Sequence, residues 1–295
     1  MAALLLASAP EAGAQLIMPP STVQAGLKGA VKTVETLQGV GGDQPELFVR
    51  TDYDRHGYVT RQEYPSFAEV TETTYAAPGV QSGEKRYRNG ELQSVYTVEL
   101  NESLEPLNAS RTTVGEGVTA SERYAVGRDA DGNYFVTSRL EFGPESMLSP
   151  ITSEVLFAEP GGRLLRLSEI RDNGTERVMK FDAEGKVSSI REVNVNSVML
   201  TEIERNGDYE RRYNSRTVTD PDSREPSEPR HLVTKTELDS HGNPLTAIHY
   251  LPDGTVSDCI TYRYTYDDRG NWTRCETSGG SEGPKLFLRR LQYYE

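Results

Sequence analysis

The chain has 295 residues, with 45 acidic against 32 basic side chains and a formal charge of −13 at neutral pH. That balance repels phosphate backbones and excludes nucleic acid as a main partner. Tyrosine is the unusual apolar component, 16 against 7 phenylalanines and 1 tryptophan; a ring with a polar tip suits half-wet sheet faces, so a large sheet is expected rather than a compact α/β enzyme.

Residues 1–14 hold a short apolar run, Ala2 to Ala7, and end in Ala12-Gly13-Ala14. This predicts a signal peptide cleaved before Gln15. No Lys or Arg precedes the run and it is short for an export signal, which a start codon assigned too late explains; a frayed helix is the competing reading. Export implies a periplasmic, cell-surface or secreted protein. No later stretch approaches the roughly 20 apolar residues of a membrane span. Residues 15–25 are expected to be a tail and 26–295 one β-hairpin repeat domain, opening with a strand in Leu27–Leu37.

From there one unit recurs: an alternating stretch, a turn rich in Asp, Asn and Gly, then another alternating stretch. The turns are Tyr53–Gly57, Arg88–Gly90, Asp129–Asn133, Arg171–Gly174, Asp182–Gly185, Arg205–Gly207, Asp239–Asn243, Pro252–Gly254 and Asp267–Asn271. Asn-Gly and Asp-Gly supply the positive φ of two-residue hairpins, and D-x-x-G-N suits a type I turn followed by a left-handed glycine. The fold class expected is all-β, an antiparallel meander of repeated hairpins forming an open, twisted sheet. Two stretches interrupt it. Asn101–Ser121 is polar with Pro106, and residues 219–230 contain three prolines and read as a flexible loop or joint.

The clearest strand is Thr261–Tyr266, where period 2 places Tyr262, Tyr264 and Tyr266 on one face. Trp272 and Arg274 follow on the outgoing strand. This aromatic row is the candidate ligand surface, able to stack on sugar rings or hold a peptide. Packing as a cross-strand ladder is the favoured alternative. The only cysteines, Cys259 and Cys275, are a candidate disulfide. An oxidising compartment favours the bond. A register with Cys275 opposite Arg263 resists it, because Cys259 then lies about 13 Å along the strand, although on the same face.

His56, His231, His241 and His249 have no zinc spacing, and neither Asp129–Asn133 nor Asp267–Asn271 offers enough ligands for an EF-hand-type calcium loop. No metal or cofactor is expected. No nucleophile motif occurs, so an enzyme is not expected.

The segment Tyr262–Arg274 resembles the YD repeat of the RHS-like families, an aromatic strand followed by Tyr-Asp-x-x-Gly-Asn, most closely at Tyr266, Asp267, Gly270 and Asn271. Weaker echoes occur at Leu238–Asn243, Phe181–Gly185 and Tyr53–Gly57. The resemblance implies the hairpin-repeat fold and small exported bacterial members, not toxin delivery. The expected function is an exported scaffold or binding protein whose partner is a protein or glycan of the cell envelope. A carbohydrate-active enzyme on an elongated sheet, or an immunity partner of a secreted toxin, are the alternatives.

Overall fold

Five turns are built on one plan. In each, an aspartate Oδ1 accepts the backbone N–H groups two and four residues on: Asp54 from His56 and Tyr58, Asp129 from Asp131 and Asn133, Asp182 from Glu184 and Lys186, Asp239 from His241 and Asn243, Asp267 from Arg269 and Asn271, all at 2.8–3.1 Å. The glycine before the last position takes positive φ, for example 79° at Gly270, which an L side chain adopts only with strain. An aspartate so engaged is a turn device. Among the described residues no cluster of His, Cys, Asp and Glu fits a metal ion.

The computed structural model describes residues 21–40, 44–102, 104–115, 117–143, 150–158, 163–194, 197–206, 208–217, 230–281 and 283–295. The expected signal peptide, most of the tail and nearly all of the 219–230 loop lie outside them. The described residues form two units.

One unit comprises 21–104, Ala109–Thr119 and Ile260–Glu295. Its strands are β1 (Val31–Val40), β2 (Glu46–Tyr53), β3 (Val59–Tyr64), β4 (Glu69–Ala77), β5 (Val80–Arg88), β6 (Glu91–Leu100), most of β18 (Val256–Tyr266), β19 (Trp272–Gly279) and β20 (Lys285–Tyr293). β1 to β6 pair in chain order, as do β18 to β20, all antiparallel. β1 also pairs with β20, from Val31 opposite Tyr293 to Val40 opposite Lys285. Tyr294 braces this junction with two bonds: its N–H donates to Ala30 O at 2.8 Å and its hydroxyl to Tyr53 O at 2.6 Å. Leu27, Val31, Val34 and Tyr53 form its buried cluster, with Val59, Leu291 and Tyr293 packed around it.

The other unit comprises Glu105–Asn108 and Ala120–Cys259. It runs through β8 (Gly117–Arg128), β9 (Tyr134–Phe142), β10 (Ile151–Ala158), β11 (Arg163–Arg171), β12 (Glu176–Phe181), β13 (Val187–Asn194), β14 (Ser197–Asn206), β15 (Tyr209–Thr217), β16 (His231–Leu238) and β17 (Pro244–Tyr250). Each pairs antiparallel with the next. Val136, Leu140, Val155 and Leu167 are buried on one face of β9 to β11.

All twenty strands belong to a single sheet. The first strand is hydrogen-bonded to the last, a pairing that an open meander lacks. This corrects the expectation of an open meander. Such a meander leaves β1 with one partner and a free edge; here both edges of β1 are hydrogen-bonded, and closure is how an all-β chain removes its edges. A second correction falls at Asn101–Ser121, which contains β7 (Pro106–Thr113) and the start of β8. Pro106 stands at the first position of β7, where a strand tolerates proline.

Candidate functional site: the aromatic face of β18 to β20

Alternation along β18 sends Tyr262, Tyr264 and Tyr266 to one face, and the rings touch in series. Tyr262 and Tyr264 have centroids 6.4 Å apart, Tyr264 and Tyr266 5.9 Å, and Tyr264 and Trp272 6.1 Å. The ladder expected from cross-strand packing is therefore present, with Tyr262 buried and Tyr264, Tyr266 and Trp272 half-buried.

Arg274 is not part of it. The β18–β19 register shifts by one residue at Thr265/Tyr266, so Trp272 opposes Tyr266 while Arg274 opposes Thr265. That bulge puts Trp272 and Arg274 on opposite faces despite their equal parity. Arg274 instead bonds Glu276 across the surface. The same shift places Cys275 opposite Tyr264 rather than Arg263. Cys259 stands at an odd position of β18, on the face away from the row. Cys259 is exposed, Cys275 is buried, and both are free thiols.

The cation on the aromatic face is Arg289 of β20, which neither strand pattern nor motif singles out. Its guanidinium carbon lies 3.6 Å from the Trp272 ring centroid, the geometry of a cation–π contact. Arg289 opposes Thr36 of β1. Its Nε is buried and has no hydrogen-bond partner. Other arginines of the sheet have carboxylates: Arg50 with Glu35 and Asp52, Arg61 with Glu72, Arg205 with Asp182 and Glu210. The groups that act on Arg289 are Tyr53, Tyr264 and Cys275. Burial pulls its pKa down to about 10, opposed by those three, so it stays charged at neutral pH.

Burial also raises the tyrosines, Tyr53 to about 12, partly offset by Arg289, and Tyr264 further, with Cys275 adding to the rise. The Cys275 thiol is pushed up by burial too, against its hydrogen bond with Tyr264 and the Arg289 charge. A phenol whose folded pKa exceeds its unfolded 10 binds more protons folded than unfolded above pH 10. The stability it supports is complete below pH 10 and declines as pH rises toward 12. Alkaline titration followed by tyrosinate absorbance and circular dichroism is expected to show Tyr53 and Tyr264 ionising only as the sheet unfolds. Full tyrosinate absorbance from a still-folded protein near pH 10 would contradict it.

The Asp267–Asn271 turn beside the row is also a clasp. Asn271 is 2% exposed. Its Oδ1 accepts the Lys28 N–H at 2.7 Å, while its Nδ2 donates to Lys28 O and to the Tyr293 hydroxyl, both at 2.8 Å. Tyr293 in turn donates to Asp267 and lies under the Arg269 guanidinium at 3.9 Å. A cavity of about 510 Å³ opens at the far end of these strands, lined by Gly39, Tyr262, Thr277, Lys285 and Leu286 among others. Thr261, Arg263, Glu276, Ser278 and Leu286, which also line it, stand in register on the face opposite the row, so the cavity lies mainly on that face.

No protein-family profile and no curated protein matches the chain. Solved structures similar to it include a porin-like protein from Bacteroides uniformis, at 11% identity and TM-score 0.32, covering 90% of this chain and 99% of that one. Another is a porin-like protein from Bacteroides vulgatus, at 15% identity and TM-score 0.30, covering 90% and 98%. The pairing of β1 with β20 departs from the open repeat sheet that the YD resemblance implied. The YD assignment is therefore corrected: the shared Asp-x-x-Gly-Asn pattern is accounted for by the turn chemistry above. Among the described residues no helix is long and apolar enough to cross a membrane.

Proposed function

We propose that this chain is an exported binding protein of the cell envelope that takes its ligand on the β18–β20 aromatic face. The observation that carries the reading is Arg289. A guanidinium drawn out of water without a carboxylate costs free energy, and a ligand that satisfies it recovers that cost. The neighbouring rings supply flat apolar contact beside it. The opposite face carries Arg50, Glu35, Arg290, Arg61 and Glu72 in cross-strand ion pairs, which favours a solvated surface over a lipid-facing band. The export expectation rests on residues 1–14.

Trp272 is the single tryptophan, so its fluorescence reports on the site directly. Titration with short neutral and acidic oligosaccharides is expected to give a saturable change in Trp272 emission. Tyr264→Ala is expected to weaken that binding by more than its lowered melting temperature accounts for. A flat emission signal across the whole panel, with the protein folded, would remove this reading.

A further inference from the structure

We propose that the aromatic row is also a relay for one-electron oxidation: an electron taken from Trp272 by a small oxidising radical is replaced from Tyr264. This role needs no ligand and is independent of the binding reading. Electron tunnelling weakens exponentially with the gap between donor and acceptor, so rings in contact set the route. The Trp272 and Tyr264 centroids lie 6.1 Å apart with the ring planes tilted by 55°, the geometry of a packed aromatic pair. Tyr264 also stacks on Tyr262 at 6.4 Å and leans on Tyr266 at 5.9 Å, which makes it the hub of the row. Trp272 is the single tryptophan, so an oxidant that prefers indoles to phenols enters the chain at one known ring.

Charge sets the direction. The Arg289 guanidinium carbon lies 3.6 Å from the Trp272 centroid, and its Nε is buried, so water screens the charge weakly. A cation that close disfavours a second positive charge on the same ring. Oxidised indole is a radical cation, whereas an oxidised phenol sheds its proton and becomes a neutral radical. Arg289 therefore drives the vacancy off Trp272 and onto Tyr264. The oxidising radical takes one electron from Trp272 and becomes an anion. One electron then passes from Tyr264 to Trp272, which returns to its neutral form. The Tyr264 O–H bond breaks as its proton leaves to water. The net change is one electron to the oxidant, one proton to water and a phenoxyl radical at Tyr264.

Pulse radiolysis of the full-length folded protein tests this, with the azide radical as the oxidant because it attacks indole faster than phenol at neutral pH. The absorbance of the indole radical is expected to decay while that of a phenoxyl radical grows. The rate of that exchange is expected to stay the same when the protein is diluted, as a step within one molecule requires. Tyr264→Phe keeps the ring and removes only the hydroxyl, and it is expected to lose the dilution-independent phase. Trp272→Phe is expected to lose the delayed phenoxyl growth. An indole radical that decays only by a dilution-sensitive route in the wild-type protein would overturn the relay. So would an unchanged fast phase in Tyr264→Phe, since the electron would then come from another group. Should Tyr264→Phe fail to fold by circular dichroism, the dilution series on the wild-type protein and on Trp272→Phe decides the matter.

Discussion

Asn271→Ala is expected to destabilise the protein by about 3 kcal/mol, seen as a lower denaturant midpoint. The side chain is buried and makes three hydrogen bonds, two of them to the backbone of Lys28, 243 residues away in sequence. Alanine removes the asparagine and leaves the Lys28 N–H and C=O and the Tyr293 hydroxyl to find other partners next to the buried cluster. Each group left unsatisfied costs roughly 1–3 kcal/mol. Asn133→Ala is the control. It occupies the same place in the Asp129 turn, but its side chain reaches only Asp129 Oδ2 at 3.0 Å. Its loss is expected to cost about 1 kcal/mol or less. Equal effects at the two positions would mean that the turn, not the clasp to the first strand, is what Asn271 supports.

Gln292→Pro is expected to cost about 3 kcal/mol or more, while Gln292→Ala stays within about 0.5 kcal/mol. The β19–β20 ladder covers Lys285 to Leu288 only, whereas the β1–β20 ladder continues to Tyr293. Beyond Leu288 the partner of β20 is β1. Because the Tyr294 N–H donates to Ala30 O, alternation directs the Gln292 N–H to the same side. Proline removes that donor and crowds the neighbouring strand. In an open sheet the same residue stands on a free edge, where proline is tolerated. The size of the proline effect thus separates a closed sheet from an open one.

What was legible in the sequence was what is local. Asp267, Gly270 and Asn271 determine a turn within five residues, and the alternation of Tyr262, Tyr264 and Tyr266 follows from the pleat alone. What was not legible depends on partners far along the chain. Nothing in Val31–Val40 or Lys285–Tyr293 states that they pair; the ladder between them decides whether the sheet has edges. The aromatic face was half legible for the same reason. Its rings lie on β18 and at the start of β19, but the bulge at Thr265/Tyr266 sends Arg274 away, and only the register of β20 brings Arg289 over Trp272. In the sequence, Arg289-Arg290 reads as a small basic surface cluster. In the structure the two point to opposite faces, Arg290 to Glu35 and Arg289 to the rings.

The union of first and last strands is tested most directly by cross-linking across it. Glu35 and Arg290 oppose one another in register. Opposite residues in an antiparallel pair have Cα atoms about 4.5–5.5 Å apart, within the reach of a disulfide. With Glu35→Cys and Arg290→Cys combined in a Cys259→Ser background, mild oxidation is expected to join the two introduced thiols within one molecule, identified by peptide mass spectrometry. A folded protein in which both thiols stay titratable and no 35–290 peptide pair forms would contradict the closed sheet.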